Sequence, residues 1–146
     1  MDTVLSTLTD TLTELKRQVD MHQSVVTDAH EYVKSTKAAL DKAEEELTLF
    51  LSGEKQKREE MDKFCRFLNG EPNGGTPAMR ATLADLANEV NRRTNQFAPL
   101  RRSVLACRET YTGATGAVAF NEERLAKIYQ EYRQVAERIR ELASEN

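Results

Sequence analysis

The stretch LSTLTDTLTELKRQVDMHQSVVTDAHEYVKSTKAALDKAEEELTLF, from Leu5 to Phe50, decides the fold. Stepping by seven from Leu5 meets only apolar residues: Leu12, Val19, Val26, Val33, Leu40 and Leu47. Three residues beyond each lie Leu8, Leu15, His22, Ala29, Thr36, Ala43 and Phe50. Spacings of three and four put both sets on one helical face, the a and d positions of a heptad. Neither glycine nor proline occurs before Gly53, so one helix covers the stretch. Its length is about 70 Å at 1.5 Å per residue. Val4, Val25, Tyr32 and Ala39 fall at g, where a parallel dimer places Glu or Lys. They widen the stripe and predict contact with more than one neighbouring helix.

Working outward, Ser52-Gly53-Glu54 interrupts the seam, because glycine disfavours a helix interior by ~1 kcal/mol and Glu54 lands at a. The same register resumes at Met61, Phe64 and Leu68. It stops at Asn69-Gly70-Glu71-Pro72-Asn73-Gly74-Gly75-Thr76-Pro77, with Gly70 suited to a left-handed helix cap and Thr76-Pro77 to a new helix start. A second seam follows: Leu83, Val90, Phe97, Val104 and Tyr111 at a, with Met79, Leu86, Leu100 and Cys107 at d and Arg93 as the exception. Pro99 predicts a kink or restart, and Thr112-Gly113-Ala114-Thr115-Gly116 a softer break. A last helix then starts with Asn121 as its cap and Phe120 stapled onto Leu125. Its seam is Leu125, Ile128, Tyr132, Val135, Ile139 and Leu142, and Glu123–Lys127 and Arg133–Glu137 pair on its outer face.

The fold class is therefore all-α: a long antiparallel helical hairpin or coiled coil, kinked near Gly53 and Pro99. It forms a single domain over residues 1–146, with arms at 3–69 and 78–143 around a turn at 70–77. So thin a hairpin buries little surface alone, so it either folds back into a compact bundle or dimerises, the expectation taken here. The assembly interface falls on Leu5, Leu8, Leu12, Leu15, Val19, Val26, Val33, Leu40 and Leu47.

Composition bounds the function. Of 146 residues 39% are apolar and 31% charged, with a net charge of −3, six glycines, three prolines and two cysteines. Collagen-like, disulfide-stapled and low-complexity classes are excluded, as is an apolar run of the ~20 residues that cross a bilayer. The acidic start Met1-Asp2-Thr3-Val4-Leu5 lacks the basic end of a signal peptide, and two cysteines without such a leader read as reduced thiols. A cytoplasmic, intracellular setting is the expectation.

Candidate chemistry is sparse. His22 at d and His30 at e lie eight residues apart, whereas zinc held from one helical face needs a four-residue spacing. His22 reads as a polar core residue that sets register, and its protonation would weaken assembly below about pH 6. Cys65 and Cys107 form no C-x-x-C unit, lie ~37 Å apart in a straight hairpin, and so cannot bridge. The Gly70–Pro77 loop lacks the Gly-Lys-Ser/Thr ending of a phosphate loop and reads as a helix–helix connection. The expectation is no catalytic residue, no metal and no cofactor. The strongest binding candidate is Arg92, Arg93, Arg101, Arg102 and Arg108, a run without an acid between Val90 and Arg108. It either grips a polyanion such as nucleic acid or anionic lipid, or pairs internally, Arg101 and Arg102 falling opposite Glu46 and Glu45.

Residues 4–93 resemble the carboxy-terminal coiled-coil and post part of the actin-nucleating formin homology domain. The features are Leu40 with Ala43-Glu44-Glu45-Glu46, then Phe67-Leu68-Asn69-Gly70 closing a helix, then a polar loop and a helix carrying Leu83, Leu86 and Val90. The resemblance implies coiled-coil and post helices, the post receiving a lasso from a partner subunit. The family's Gly-Asn hallmark, knob, lasso and proline-rich profilin-binding stretch are missing here. It thus implies a piece that dimerises or docks without nucleating actin alone. Together the readings predict a non-catalytic coiled-coil interaction or assembly module, a cytoskeletal scaffold among the candidates, whose partner is itself or another helical protein. The second reading is a helical binding protein that uses the arginine face.

Overall fold

The computed structural model describes residues 2–145: α1 over Asp2–Asn69, a 3-10 turn at Pro72–Gly74, and α2 over Pro77–Ser144. The two long helices pack against each other as an all-α hairpin. Burial follows the heptad. Leu15, Val19, Leu40, Ala43 and Leu68 of α1 and Val90, Val104, Ala114 and Leu142 of α2 are the buried apolar residues, each at a or d. Every a and d position from Leu5 to Leu68 and from Met79 to Leu142 is at least half-buried.

Neither helix is broken at the expected interruptions. α1 continues through Gly53 in one register, with Leu47, Glu54, Met61 and Leu68 succeeding one another at a. Gly53 has a packing role: a Cβ there would lie 2.8 Å from Nη1 of Arg93, so the absent side chain makes room for the guanidinium. α2 likewise continues through Pro99. Proline removes the N–H that Asn95 C=O would accept and costs about 3 kcal/mol in a helix interior. Both Pro99 and Asn95 lie on the exposed face, where the freed carbonyl is open to solvent, while Phe97, Leu100 and Val104 hold the seam on the other side. The softer break at Thr112–Gly116 is absent too, because Tyr111, Ala114 and Val118 keep the seam in phase. Asn121 is consequently no cap. It sits at d in mid-helix, its Nδ2 donating to Ala117 C=O at 2.8 Å.

Contacts group the chain into two compact units, Met1–Lys37 with Thr110–Asn146, and Ala38–Glu109. In the first, Gln23 Nε2 donates to Tyr129 Oη at 2.7 Å, and His30 Nε2 lies 2.8 Å from Glu122 Oε1. Seven residues forward in α1 match seven back in α2, the signature of antiparallel e–e contacts. The second unit repeats this pairing, with Glu44 to Arg108 at 3.4 Å and Arg58 to Thr94 at 3.2 Å.

The connecting turn lies wholly in the second unit. Gly70 is not left-handed as expected; positive φ falls on Asn73, Gly74 and Gly75 instead. Gly70 and Glu71 donate to Phe67 and Leu68 C=O and close α1 without reversing handedness. Thr76 does cap α2, accepting from Met79 N at 3.2 Å, with Pro77 as the first helical residue. Arg80 fastens the turn by donating to Asn73 and Gly75 C=O at 3.1 and 2.9 Å.

Candidate interaction surface

The residues expected to join two chains lie in the hairpin's own interior. Leu5, Leu8, Leu12, Leu15, Val19, Val26, Val33, Leu40 and Leu47 are all buried or half-buried within the single chain. α2 carries an apolar seam of its own in the same antiparallel frame, so the first seam is covered within the chain. The side chains left exposed trace a different line. On α1 they are Val4, Met21, Val25, Tyr32, Leu49, Leu51 and Phe67. All but Leu51 sit at c or g, the flank beside the seam. The g-position signal thus reappears as an uncovered stripe.

In the first unit this stripe continues onto α2. Met21, Val25 and Tyr32 are 47%, 39% and 55% exposed. A groove of about 430 Å³ is lined by Arg17, Met21, His22, Arg124, Lys127 and Glu131 among others, so Arg124 and Lys127 border the same face. The Arg124 guanidinium lies 5.9 Å from the Phe120 ring centre, and Phe120 is 58% exposed. Nearby on α1, Arg17 donates to both carboxylate oxygens of Glu14 at 3.0 and 2.6 Å. These hydrogen bonds hold the Glu14 carboxyl below the ordinary glutamate range.

The arginine run divides. Arg108 pairs with Glu44, and Arg93 lies half-buried, its Nε 3.7 Å from Glu89 Oε1. Arg92, Arg101 and Arg102 are exposed and make no ion pair or hydrogen bond among the described residues. The expected pairs of Arg101 and Arg102 with Glu46 and Glu45 do not form, as all four side chains point to solvent.

The densest convergence of charge is in the second unit, where core positions are polar on both helices. Glu54, only 14% exposed, accepts from Arg58 Nη2 at 2.9 Å and from Thr94 Oγ1 at 3.2 Å. Lys57 reaches Glu60 at 3.4 Å and Glu89 at 3.8 Å. Three acids and three bases (Glu54, Glu60, Glu89; Lys57, Arg58, Arg93) balance. Such a polar layer in an apolar seam fixes register. The sequence signal for it was the coincidence of Glu54 and Lys57 at a and d with Arg93 at d, which reads as an interruption when each arm is taken alone.

His22 Nδ1 is buried without a hydrogen-bond partner. Thr36, also polar at d, satisfies itself by donating to Val33 C=O at 3.0 Å. Cys65 and Cys107 are free thiols. Of the two outer pairs expected on α2, Glu123–Lys127 forms at 3.5 Å, whereas Arg133 lies 5.9 Å from the Tyr129 ring centre instead. No group of three or more metal-ligating side chains converges among the described residues, and no helix there is long and apolar enough to cross a membrane. Comparison with protein-family models, curated proteins and solved structures gives no match.

Proposed function

We propose that this chain is a non-catalytic coiled-coil interaction and assembly module that presents a helical face to itself or to another helical protein. The observation that carries this reading is the stripe of exposed apolar side chains at c and g of α1, beside a seam that is already covered. Exposed apolar side chains aligned on one flank mark an interaction surface more often than scattered ones do. A cytoplasmic setting and a scaffolding role follow as part of this proposal. The formin-like pattern of residues 4–93 supports the same direction, docking without nucleation. The test is far-ultraviolet dichroism on thermal melting over a hundredfold range of protein concentration, with and without added RNA. Assembly predicts a melting temperature that rises with concentration and ignores RNA.

A second reading is favoured by one specific observation, the three unpaired arginines Arg92, Arg101 and Arg102. A polyanion bound there would show salt-dependent affinity, lost on changing Arg92, Arg101 and Arg102 together to Ala. Binding of a fluorescent RNA that is insensitive to that triple change would remove this reading.

A further inference from the structure

We infer that Asn73, in the connecting turn, is a site of spontaneous covalent modification, its side-chain amide being lost through attack by the backbone nitrogen of Gly74. This rests on the turn alone and not on the assembly reading above. The chain holds two Asn-Gly pairs, Asn69-Gly70 and Asn73-Gly74. Glycine after asparagine leaves such an attack least hindered, because no Cβ shields its nitrogen. By sequence the two pairs are equivalent. By structure they are not.

Three features favour Asn73. The first is its backbone. Asn69 is the last residue of α1, whereas Asn73 has φ 57° and ψ 24°, a left-handed conformation that residues with a Cβ rarely adopt. Rotation about ψ brings the glycine nitrogen to the side-chain Cγ. At Asn69 that rotation undoes the end of a helix, while at Asn73 it releases a residue from an unfavourable region. The second feature is room. Asn73 and Gly74 are exposed, and a Cβ on Gly74 would meet nothing within 4 Å, whereas one on Gly70 would lie 3.5 Å from Phe67 C=O. The third is charge. Arg80 Nη1 donates to Asn73 C=O at 3.1 Å and to Gly75 C=O at 2.9 Å. Asn73 C=O belongs to the same peptide group as the attacking nitrogen, so the negative charge left when that nitrogen loses its proton is shared with this oxygen. The guanidinium already stands where that charge develops. No side chain donates to Asn69 C=O among the described residues. One cost is common to both pairs: Gly70 N donates to Phe67 C=O at 3.1 Å and Gly74 N to Glu71 C=O at 3.2 Å, and each must be released before it reacts.

In the reaction the Gly74 N–H proton passes to water and a bond forms between Gly74 N and Asn73 Cγ. The side-chain nitrogen leaves as ammonia, taking a proton from solvent. Water then opens the cyclic imide at either carbonyl. One opening gives aspartate; the other gives an isoaspartyl link, whose main chain runs through the former side chain and is longer by a carbon atom. Either product adds a negative charge beside Arg80, and the second also lengthens the connection between α1 and α2.

The test is to hold the full chain at mildly alkaline pH, folded and in urea, beside the variant Arg80→Gln. Peptide sequencing by mass spectrometry assigns the mass gain of amide loss to one asparagine or the other. Arg80 is exposed and Gln is a comparable helix former, so α2 should persist, with helicity read by dichroism. Rates in urea give the intrinsic reactivity of each pair, to which its folded rate is referred. In the folded chain Asn73 should convert about tenfold or more faster than Asn69, and Arg80→Gln should slow Asn73 about tenfold. Conversion at Asn69 as fast as at Asn73, or at neither, overturns the modification site. A rate at Asn73 that Arg80→Gln leaves unchanged or raises overturns the role given to Arg80.

Discussion

Arg93 occupies a position where its heptad calls for an apolar side chain, and Gly53 on the facing helix is what makes this tolerable. The guanidinium passes over the glycine, so a methyl group there must displace Nη1. At Gly113 and Gly116 an added Cβ meets nothing within 4 Å. Alanine at either should therefore raise stability by about 1 kcal/mol, from reduced unfolded-state entropy and better helix propensity. Gly53→Ala should gain clearly less, and urea denaturation of the three variants will show whether that ranking holds. The Glu14–Arg17 pair gives a second expectation at this scale. Its depressed folded value means that the pair contributes stability above the unfolded glutamate value and loses it as pH falls through the folded one. Both groups are solvent-exposed, so the change in stability will be small. Arg17→Ala should move the Glu14 titration midpoint upward in an NMR pH series, and an unmoved midpoint would contradict the hydrogen-bonded geometry.

Each helix is longer than any of its local signals announces. The a/d spacing of Leu5–Phe50 made the first arm legible, and the glycine-rich turn with Thr76-Pro77 made the reversal legible. What misled was the local penalty at Gly53, Pro99 and Gly113-Gly116, each of order 1 to 3 kcal/mol. Those penalties are real for an isolated helix, but a seam buried on both sides of the break outweighs them. The decisive clue was phase: Leu47 to Met61 and Tyr111 to Leu125 are each separated by two heptads, so nothing shifts across the suspected breaks. The location of the outward surface was half legible. The g positions Val25 and Tyr32 stood out, whereas Met21 and Phe120, at c on different helices, gain meaning only when the hairpin brings both helices to one face. At Pro99 the account is open to a direct check. Pro99→Ala restores the donor to Asn95 C=O and should stabilise by about 2 kcal/mol. A neutral or negative change on thermal unfolding would show that the proline is required where it stands.

For the whole molecule, the defining property is incomplete burial. Among the described residues no large side chain is fully enclosed, since each seam residue has only one helix to face. Stability must then come from many partly covered layers, with the polar layer around Glu54, Lys57 and Arg93 selecting one register among neighbouring ones. The account stands on the first seam being closed by α2 of the same chain, which leaves the outer flank uncovered. Cross-linking tests this directly, using His30→Cys/Glu122→Cys with Cys65 and Cys107 changed to Ser, and a short bis-maleimide. The account predicts a denatured product of single-chain mass at every protein concentration. A product dominated by two-chain mass would show that the seam is shared between molecules, and would contradict it.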